Sequence, residues 1–221
     1  MSRLSWAGRM AALASLGDEK RRQLFELVAA SPGAVGRDEV AGATGIPRST
    51  VSFHLDRLVQ DGLLAVEFHK PPGKSGPGSG RPAKMYRPVA GEIGASVPDR
   101  NYDLAGELMA AAIERSTTGG EPIGDSLPAE SFRKGCSLAE TAATLEDFLV
   151  QSGYRPEPDG DGGFLLPNCP FHRLSDGHPG VVCTMNGAFL RGAASRFDAS
   201  PERVAPADLP GHCCARITPP A

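Results

Sequence analysis

The chain has 221 residues, of which 40% are hydrophobic and 22% are charged, a composition typical of a globular protein with one large domain or two small ones. It contains no run of eighteen apolar residues, so we expect no transmembrane helix. The short apolar stretch at its start is followed directly by charged residues, which predicts a helix rather than a signal peptide and hence a cytoplasmic protein. Residues 1–90 carry 13 Lys and Arg against 8 Asp and Glu, whereas residues 91–221 carry 10 against 18, an asymmetry that indicates either nucleic-acid binding by the first part or chance variation.

The first ninety residues have the pattern of three helices followed by a β-hairpin. The predicted helices cover residues 19–30, 37–45 and 46–62, and the predicted strands cover residues 63–70 and 84–89. In the third helix, Pro47 suits the first turn, and Val51, Leu55, Leu58 and Val59 form an apolar stripe. A loop rich in Gly, Pro and Ser joins the two strands, and this order of elements is the pattern of a winged helix-turn-helix domain.

The third helix and the loop of the hairpin carry the side chains that a DNA duplex would meet. A recognition helix needs an apolar back and a polar front that reaches base edges and phosphates, and "PRSTVSFHLDRL" supplies both. The candidate DNA contacts are Arg48, Ser49, Thr50, Ser52, Phe53, His54 and Arg57 in the helix, and Lys74, Arg81 and Lys84 in the wing. Three of these assignments have alternatives: Phe53 could simply be exposed, His54 could pack in the core, and the wing could be a solvated flexible loop.

The second part of the chain alternates helices and short strands. After a linker at 91–100, we predict helices over 101–116, 137–153 and 178–197, a loop over 117–130, and strands over 154–158, 163–169 and 212–218. The fold class is therefore α+β, with a winged helix-turn-helix domain over residues 1–90 and an α+β effector and dimerisation domain over residues 91–221. The alanine-rich face of the 101–116 helix is a candidate for a dimer contact, and intramolecular packing is the alternative.

All five cysteines lie after residue 130, and an odd number in a cytoplasmic chain indicates metal or redox chemistry rather than a disulfide framework. Cys169 and His172 have C-x2-H spacing, so one tight turn can present both donors to one ion, and Cys183 and Cys213 would complete a set of four. Three sulfurs and one nitrogen suit zinc, three thiolates with another ligand suit an iron–sulfur cluster, and a packed core without metal is the third interpretation.

The remaining cysteines are expected to lie outside this set. Neighbouring residues of a strand face opposite sides, so Cys214 and His212 should face away from the site if Cys213 faces it. Cys136 precedes a predicted helix by itself, and its sequence position indicates no role.

Two stretches of the first part, "RSTVSFHLDRLVQDGLL" and "GRPAKMYRP", resemble the ArsR-like winged helix-turn-helix regulators. In the second part, "VPDRNYDLAGELMAAAIE", "NCPFH", "VVC" and "HCCARI" resemble a two-domain branch related to the SufR-type iron–sulfur repressors. The resemblance covers nearly the whole chain. It implies a homodimeric transcriptional regulator, with repression as the expected mode, that binds double-stranded DNA at a palindromic operator and senses a metal, an iron–sulfur cluster or a small ligand through its C-terminal domain.

Two alternatives to a metal-sensing regulator remain at this point. A thiol next to a histidine could be a nucleophile, so a redox or thiol enzyme domain could be fused to a DNA-binding module. The C-terminal domain could instead bind an organic effector while zinc has a purely structural role. The sequence contains no Ser/His/Asp pattern, paired-carboxylate motif or nucleotide fingerprint, so we predict that the protein is not an enzyme.

Overall fold

The computed structural model describes residues 4–69, 82–89, 91–197 and 200–219. The chain forms two compact units, which divide between Ala95 and Ser96. The two units together have the α+β architecture that the sequence predicts. Among the described residues, no helix is both long and apolar enough to cross a membrane.

The N-terminal unit consists of helices packed on a small antiparallel sheet. Its elements are α1 (Trp6–Ser15), α2 (Glu19–Ala30), β1 (Val35–Gly36), α3 (Arg37–Thr44), α4 (Arg48–Gln60), β2 (Leu64–His69) and β3 (Ala83–Pro88). In the described part of the sheet the strand order is β1-β3-β2, so β3 lies in the middle, and the short strand β1 was not predicted. The order of α3, α4 and the β2–β3 hairpin agrees with the predicted helix-turn-helix and wing.

Local sequence signals place the two helices of the helix-turn-helix. Gly45 ends α3 because it adopts a left-handed conformation with φ of 70°, which costs little without a Cβ atom. Pro47 then occupies the N-cap position of α4, where it makes no side-chain hydrogen bond. The predicted stripe of α4 is buried: Val51, Leu55 and Leu58 are fully buried in the core of this unit. The opposite side of α4 consequently faces outward.

The C-terminal unit is built around a long buried helix. Its elements are α5 (Tyr102–Gly119), α6 (Ile123–Ala139), α7 (Leu145–Gln151), β4 (Glu157–Pro158), β5 (Phe164–Leu165), α8 (His172–Gly177), α9 (Pro179–Phe197), a 3-10 turn (Pro201–Arg203), β6 (Val204–Pro206) and β7 (Ala215–Ile217). The sheet is antiparallel, with the order β4-β5-β7-β6 among the described residues. Helix α9 packs closely against α6, because glycines at the contact let the two backbones approach.

Two predictions about the helices of this unit are wrong. The segment 117–130 is not a loop throughout, since α6 begins at Ile123 and includes Pro128, and Leu127 is buried in the core. Burial of an apolar face outweighs the low intrinsic helix propensity of this segment. The predicted helix over 137–153 is instead the end of α6 followed by α7, whose first turn is capped by the Thr144 side chain, which accepts a hydrogen bond from the Asp147 N–H at 3.0 Å.

The strands of this unit are shorter than predicted. The strand β7 starts at Ala215, so Cys213 and Cys214 lie just before it rather than inside it. The apolar face of α5, which was a candidate dimer contact, lies within the core of its own unit: Leu104, Leu108 and Ala112 are buried there. These residues therefore pack within their own unit, as in the alternative prediction.

Candidate DNA-binding face and cysteine cluster

The outward side of α4 lines an open cavity of about 480 Å³. We call this surface the α4 face; it consists of Arg37, Arg48, Ser49, Ser52, Phe53 and Asp56. Phe53 is 66% exposed, although it is a large aromatic side chain. Cationic, hydroxyl, aromatic and acidic groups thus share one concave surface.

Two predicted DNA contacts on α4 are arginines that already have carboxylate partners. Arg48 pairs with Asp38 of α3, with Nη2 and Oδ2 3.1 Å apart, and Arg57 pairs with Asp61, with Nε and Oδ2 3.0 Å apart. Arg48 and Asp38 are both exposed, and ion pairs between exposed groups contribute at most about 1 kcal/mol, so a DNA phosphate could replace Asp38 at small cost. The Asp61 side chain is only 8% exposed, so Arg57 stays paired with Asp61, and its half-exposed guanidinium group can make a phosphate contact beside that pair.

Lys84 belongs to a polar contact between the wing and α4. Its ammonium group is hydrogen-bonded to Asp56, and this bond raises the pKa of Lys84 above its ordinary value. The Tyr86 hydroxyl donates to the same Asp56 oxygen, Oδ1, at 2.9 Å. Lys84, which was predicted to contact DNA, therefore joins β3 to α4 in the structure.

The other predicted DNA contacts fall into three groups. His54 is buried on the core side of α4, with its ring edge-on to Phe53 at a centroid distance of 5.3 Å, so packing is the alternative that the structure supports. Thr50 is half-buried and lies beside the cavity rather than in its lining. Lys74 and Arg81 lie outside the described residues.

Sequence reasoning missed two members of the α4 face. Asp56 follows Ser49 by seven residues and Ser52 by four, so helical spacing alone would have placed it on the same side. Arg37 stands at the start of α3, and only the packing of α3 against α4 brings it to this surface.

In the C-terminal unit, backbone hydrogen bonds bring distant cysteines together. The Cys213 N–H donates to the Leu166 carbonyl at 2.8 Å, which places the segment before β7 beside the turn that carries Cys169. The Asn168 side chain fixes that turn by donating to the carbonyl groups of Asp99 and Gly153, at 3.0 and 2.7 Å. The two cysteine segments are therefore held by the core.

Four thiols form a chain of interactions, which we call the cysteine cluster: Cys169, Cys213, Cys214 and Cys183, in that order. A hydrogen bond from Cys213 lowers the pKa of the Cys169 thiol. The same bond raises the pKa of Cys213 to about 12, and burial raises the pKa of Cys183 to about 12. The pKa of Cys214 is also raised, chiefly by its hydrogen bond to Cys213. Ionisation is thus concentrated at the Cys169 end of the chain.

A buried amide supports the middle of the cysteine cluster. Asn186 of α9 is fully buried, and its Nδ2 donates to Cys213 Sγ at 3.0 Å and lies 3.8 Å from Cys214 Sγ. Its Oδ1 accepts a hydrogen bond from the Tyr154 hydroxyl. Both polar atoms of the Asn186 side chain are therefore satisfied, and the amide orients the two adjacent sulfurs.

The predicted set of four donors is only partly brought together. His172 is exposed and lies 3.8 Å from Asp176, measured from Nε2 to Oδ2, on the solvent side of α8. Cys214, which was expected to face away, is in the cluster instead. The strand alternation that excluded Cys214 does not apply, because β7 begins only at the next residue. Cys136 lies elsewhere, on α6, and its thiol donates to the Gly192 carbonyl at 3.1 Å.

The cysteine cluster fits a thiophilic metal by the chemistry of its donors, since thiolates are the ligands that zinc and iron–sulfur centres share. The positions of these donors do not form a metal site: among the described residues, no group of three or more His, Cys, Asp or Glu side chains is arranged so that it could hold an ion. The sulfurs follow one another as a chain, so a bound metal would require them to converge.

Comparison with known proteins identifies the N-terminal region. Residues 16–67, about a quarter of the chain, match a family described as a helix-turn-helix domain. No curated protein and no solved structure matches the chain. The matched residues include α3 and α4, so the N-terminal part of this protein contains a helix-turn-helix domain, the kind of domain found in DNA-binding transcription regulators.

Proposed function

We propose that the protein is a transcriptional repressor of the ArsR-like winged-helix type, which acts in the cytoplasm as a homodimer on a palindromic operator. The observation that carries the proposal is the α4 face, because it presents Arg48, Ser49 and Ser52 outward from the helix that follows the turn of a helix-turn-helix domain. The relation to the SufR-type branch rests on the sequence resemblance alone.

DNA binding would use the α4 face in two ways. Arg48 exchanges its carboxylate partner for a phosphate or a guanine edge, and Arg57, on the same helix outside the face, adds a phosphate contact while it stays paired with Asp61. Serine hydroxyls at positions 49 and 52 donate to phosphates or accept from bases. A single recognition helix reads few base pairs, so two copies about one helical turn apart would multiply specificity, which favours a dimer.

The C-terminal unit would sense its effector through the cysteine cluster. We propose zinc or an iron–sulfur cluster as the effector, which Cys169, Cys183, Cys213 and Cys214 would hold by converging from their present chain; such a centre would supply thiolate coordination and, with iron, a redox response. His172 is left out because it is exposed and paired with Asp176. An effector regulates only if it binds the DNA-competent and the incompetent forms with different affinity.

The experiment that tests the proposal is selection of operator DNA from a random library by the purified full-length protein, followed by binding measurements over a range of salt. We expect one enriched palindromic motif and a Kd that weakens as salt rises, because phosphate contacts release counterions. Enrichment of no motif would refute the regulator.

Metal, iron and sulfide contents of protein purified without oxygen test the sensing part separately. Iron with sulfide supports a cluster, about one zinc per chain supports a zinc site, and protein that contains neither and binds neither on reconstitution contradicts the metal proposal while leaving the DNA-binding proposal intact.

A further inference from the structure

Asp56 is the member of the α4 face whose charge does not suit a DNA phosphate. It lines the cavity together with Arg48, Ser49, Ser52 and Phe53, at a position where a regulator would approach a polyanion. A carboxylate there repels phosphates, and a cation or a small polar group would be the residue expected from electrostatics alone. The presence of an acid on this surface therefore requires a physical reason.

The contacts of Asp56 hold its carboxylate in one orientation. The Lys84 ammonium group and the Tyr86 hydroxyl, both on strand β3, bind Oδ1 of Asp56. Neither of these two groups bonds to Oδ2. Lys84 offsets the negative charge, which reduces the repulsion between the carboxylate and the DNA backbone. Oδ2 thus remains as an acceptor on a partly exposed, fixed side chain.

Stability accounts for part of this arrangement only: Tyr86 is fully buried and its hydroxyl needs an acceptor, but Oδ1 of Asp56 supplies that acceptor without Oδ2. The two partners of the ion pair are 34% and 42% exposed, so their attraction is screened by water and contributes little to folding. A carboxylate accepts hydrogen bonds and cannot donate them, and among the four bases only cytosine presents a donor, its N4 amino group, with no acceptor atom on its own major-groove edge. Guanine and thymine present acceptors, and adenine places its N7 acceptor beside its amino group.

From this geometry we propose that Asp56 is a base-reading residue, which accepts a hydrogen bond from the N4 amino group of a cytosine in the major groove of the operator. The proposal rests on the proposed function as a DNA-binding regulator. It adds a specificity-determining residue that selects one base in each half-site. Lys84 and Tyr86 are then positioning residues, which act through the Asp56 carboxylate.

The test compares operator selection by the wild-type protein with selection by Asp56→Ala and Asp56→Asn. In the wild-type motif we expect cytosine at one position of each half-site. Asp56→Ala should reduce the preference for cytosine at that position on the order of tenfold, which is the discrimination that one good base contact provides. The preferences at the other positions of the motif should stay the same. Asp56→Asn should accept adenine there, because an amide binds adenine N6 and N7 together.

Glu67→Gln is the matched control. Glu67 also binds a cation across the β2–β3 hairpin, since its carboxylate contacts Arg87 of β3, and the substitution removes the same charge from the same unit outside the α4 face. It should leave the preference at every position unchanged, although its overall affinity for DNA can rise because a negative charge is lost. Circular dichroism spectra equal to those of the wild-type protein establish that each variant is folded.

Two outcomes overturn the proposal, and they differ in what else they refute. If the wild-type protein enriches a motif and Asp56→Ala enriches the same motif with every preference intact, the base-reading role is wrong and the regulator stands. If the wild-type protein enriches no motif at all, both the proposed function and the base-reading role are wrong.

Discussion

Substitution of Gly192 by alanine should destabilise the C-terminal unit strongly. Gly192 of α9 lies against α6, and a Cβ atom added there would be 2.0 Å from the Phe132 carbonyl oxygen and 2.8 Å from its carbon. Gly135 of α6 has the reciprocal contact, with a Cβ 2.1 Å from the Phe189 carbonyl oxygen. The atoms that a methyl group would meet on both sides are backbone atoms, which no change of side-chain rotamer can move.

The size of the destabilisation follows from how far the added Cβ atom would fall short of an ordinary contact distance. A Cβ atom 2.0 Å from an oxygen is more than 1 Å short of the ordinary contact range of 3.4–4 Å, so α6 and α9 must separate along their tightest contact. Overpacking of a well-filled core costs about 1–3 kcal/mol and sometimes more. With backbone on both sides we expect at least about 3 kcal/mol, which corresponds to a fall in Tm on the order of 10 °C.

The assay is thermal and urea unfolding followed by circular dichroism, with hydrogen exchange of the α6 and α9 amides. Gly106→Ala is the matched control: Gly106 also lies inside a helix of the same unit, α5, but an added Cβ meets nothing within 4 Å. The control should be neutral or up to about 1 kcal/mol more stable, because alanine favours the helix. A Gly192→Ala protein as stable as this control would refute the close packing of α6 on α9.

Three further predictions concern the two candidate sites. Arg48→Ala should weaken operator binding and relax the preference at one base position, and unchanged binding isotherms would remove Arg48 from the recognition set. Cys214→Ser should lower the zinc or iron content of reconstituted protein, whereas His172→Ala should retain it; the reverse result would favour the C-x2-H site. Tyr154→Phe should cost about 1–3 kcal/mol in the free energy of unfolding, since it leaves the buried Asn186 oxygen without its donor, and an unchanged urea midpoint would contradict that bond.

The winged helix-turn-helix could be predicted from the sequence because the features that indicate it are local. Helical periodicity in α4, the glycine that ends α3 and the order of helix, helix and hairpin each depend on residues a few positions apart. The same locality explains why two interpretations of His54 stayed open: periodicity placed the residue near the edge of the buried stripe, and only packing decided the side on which it lies.

The C-terminal unit could be predicted less well because its short elements depend on contacts between distant residues. Helix α6 forms where Gly and Pro indicated a loop, since burial of Leu127 and its neighbours outweighs local propensity. Within the candidate site, Cys169, Cys183 and Cys213 were identified from their residue type, and the structure places each of them in one chain of thiols with Cys214.

The sequence by itself determined the α+β class, the helix-turn-helix and the outward positions of Arg48, Ser49, Ser52 and Phe53 on α4, because periodicity and capping act along a single element. Only the tertiary structure decided that Asp56 is tied to Lys84 and Tyr86, that Cys214 rather than His172 joins the cysteine cluster, and that Asn186 supports it. These contacts join residues that are tens of positions apart, and no spacing rule within one helix or strand can specify which distant side chains the packed core brings within hydrogen-bond distance.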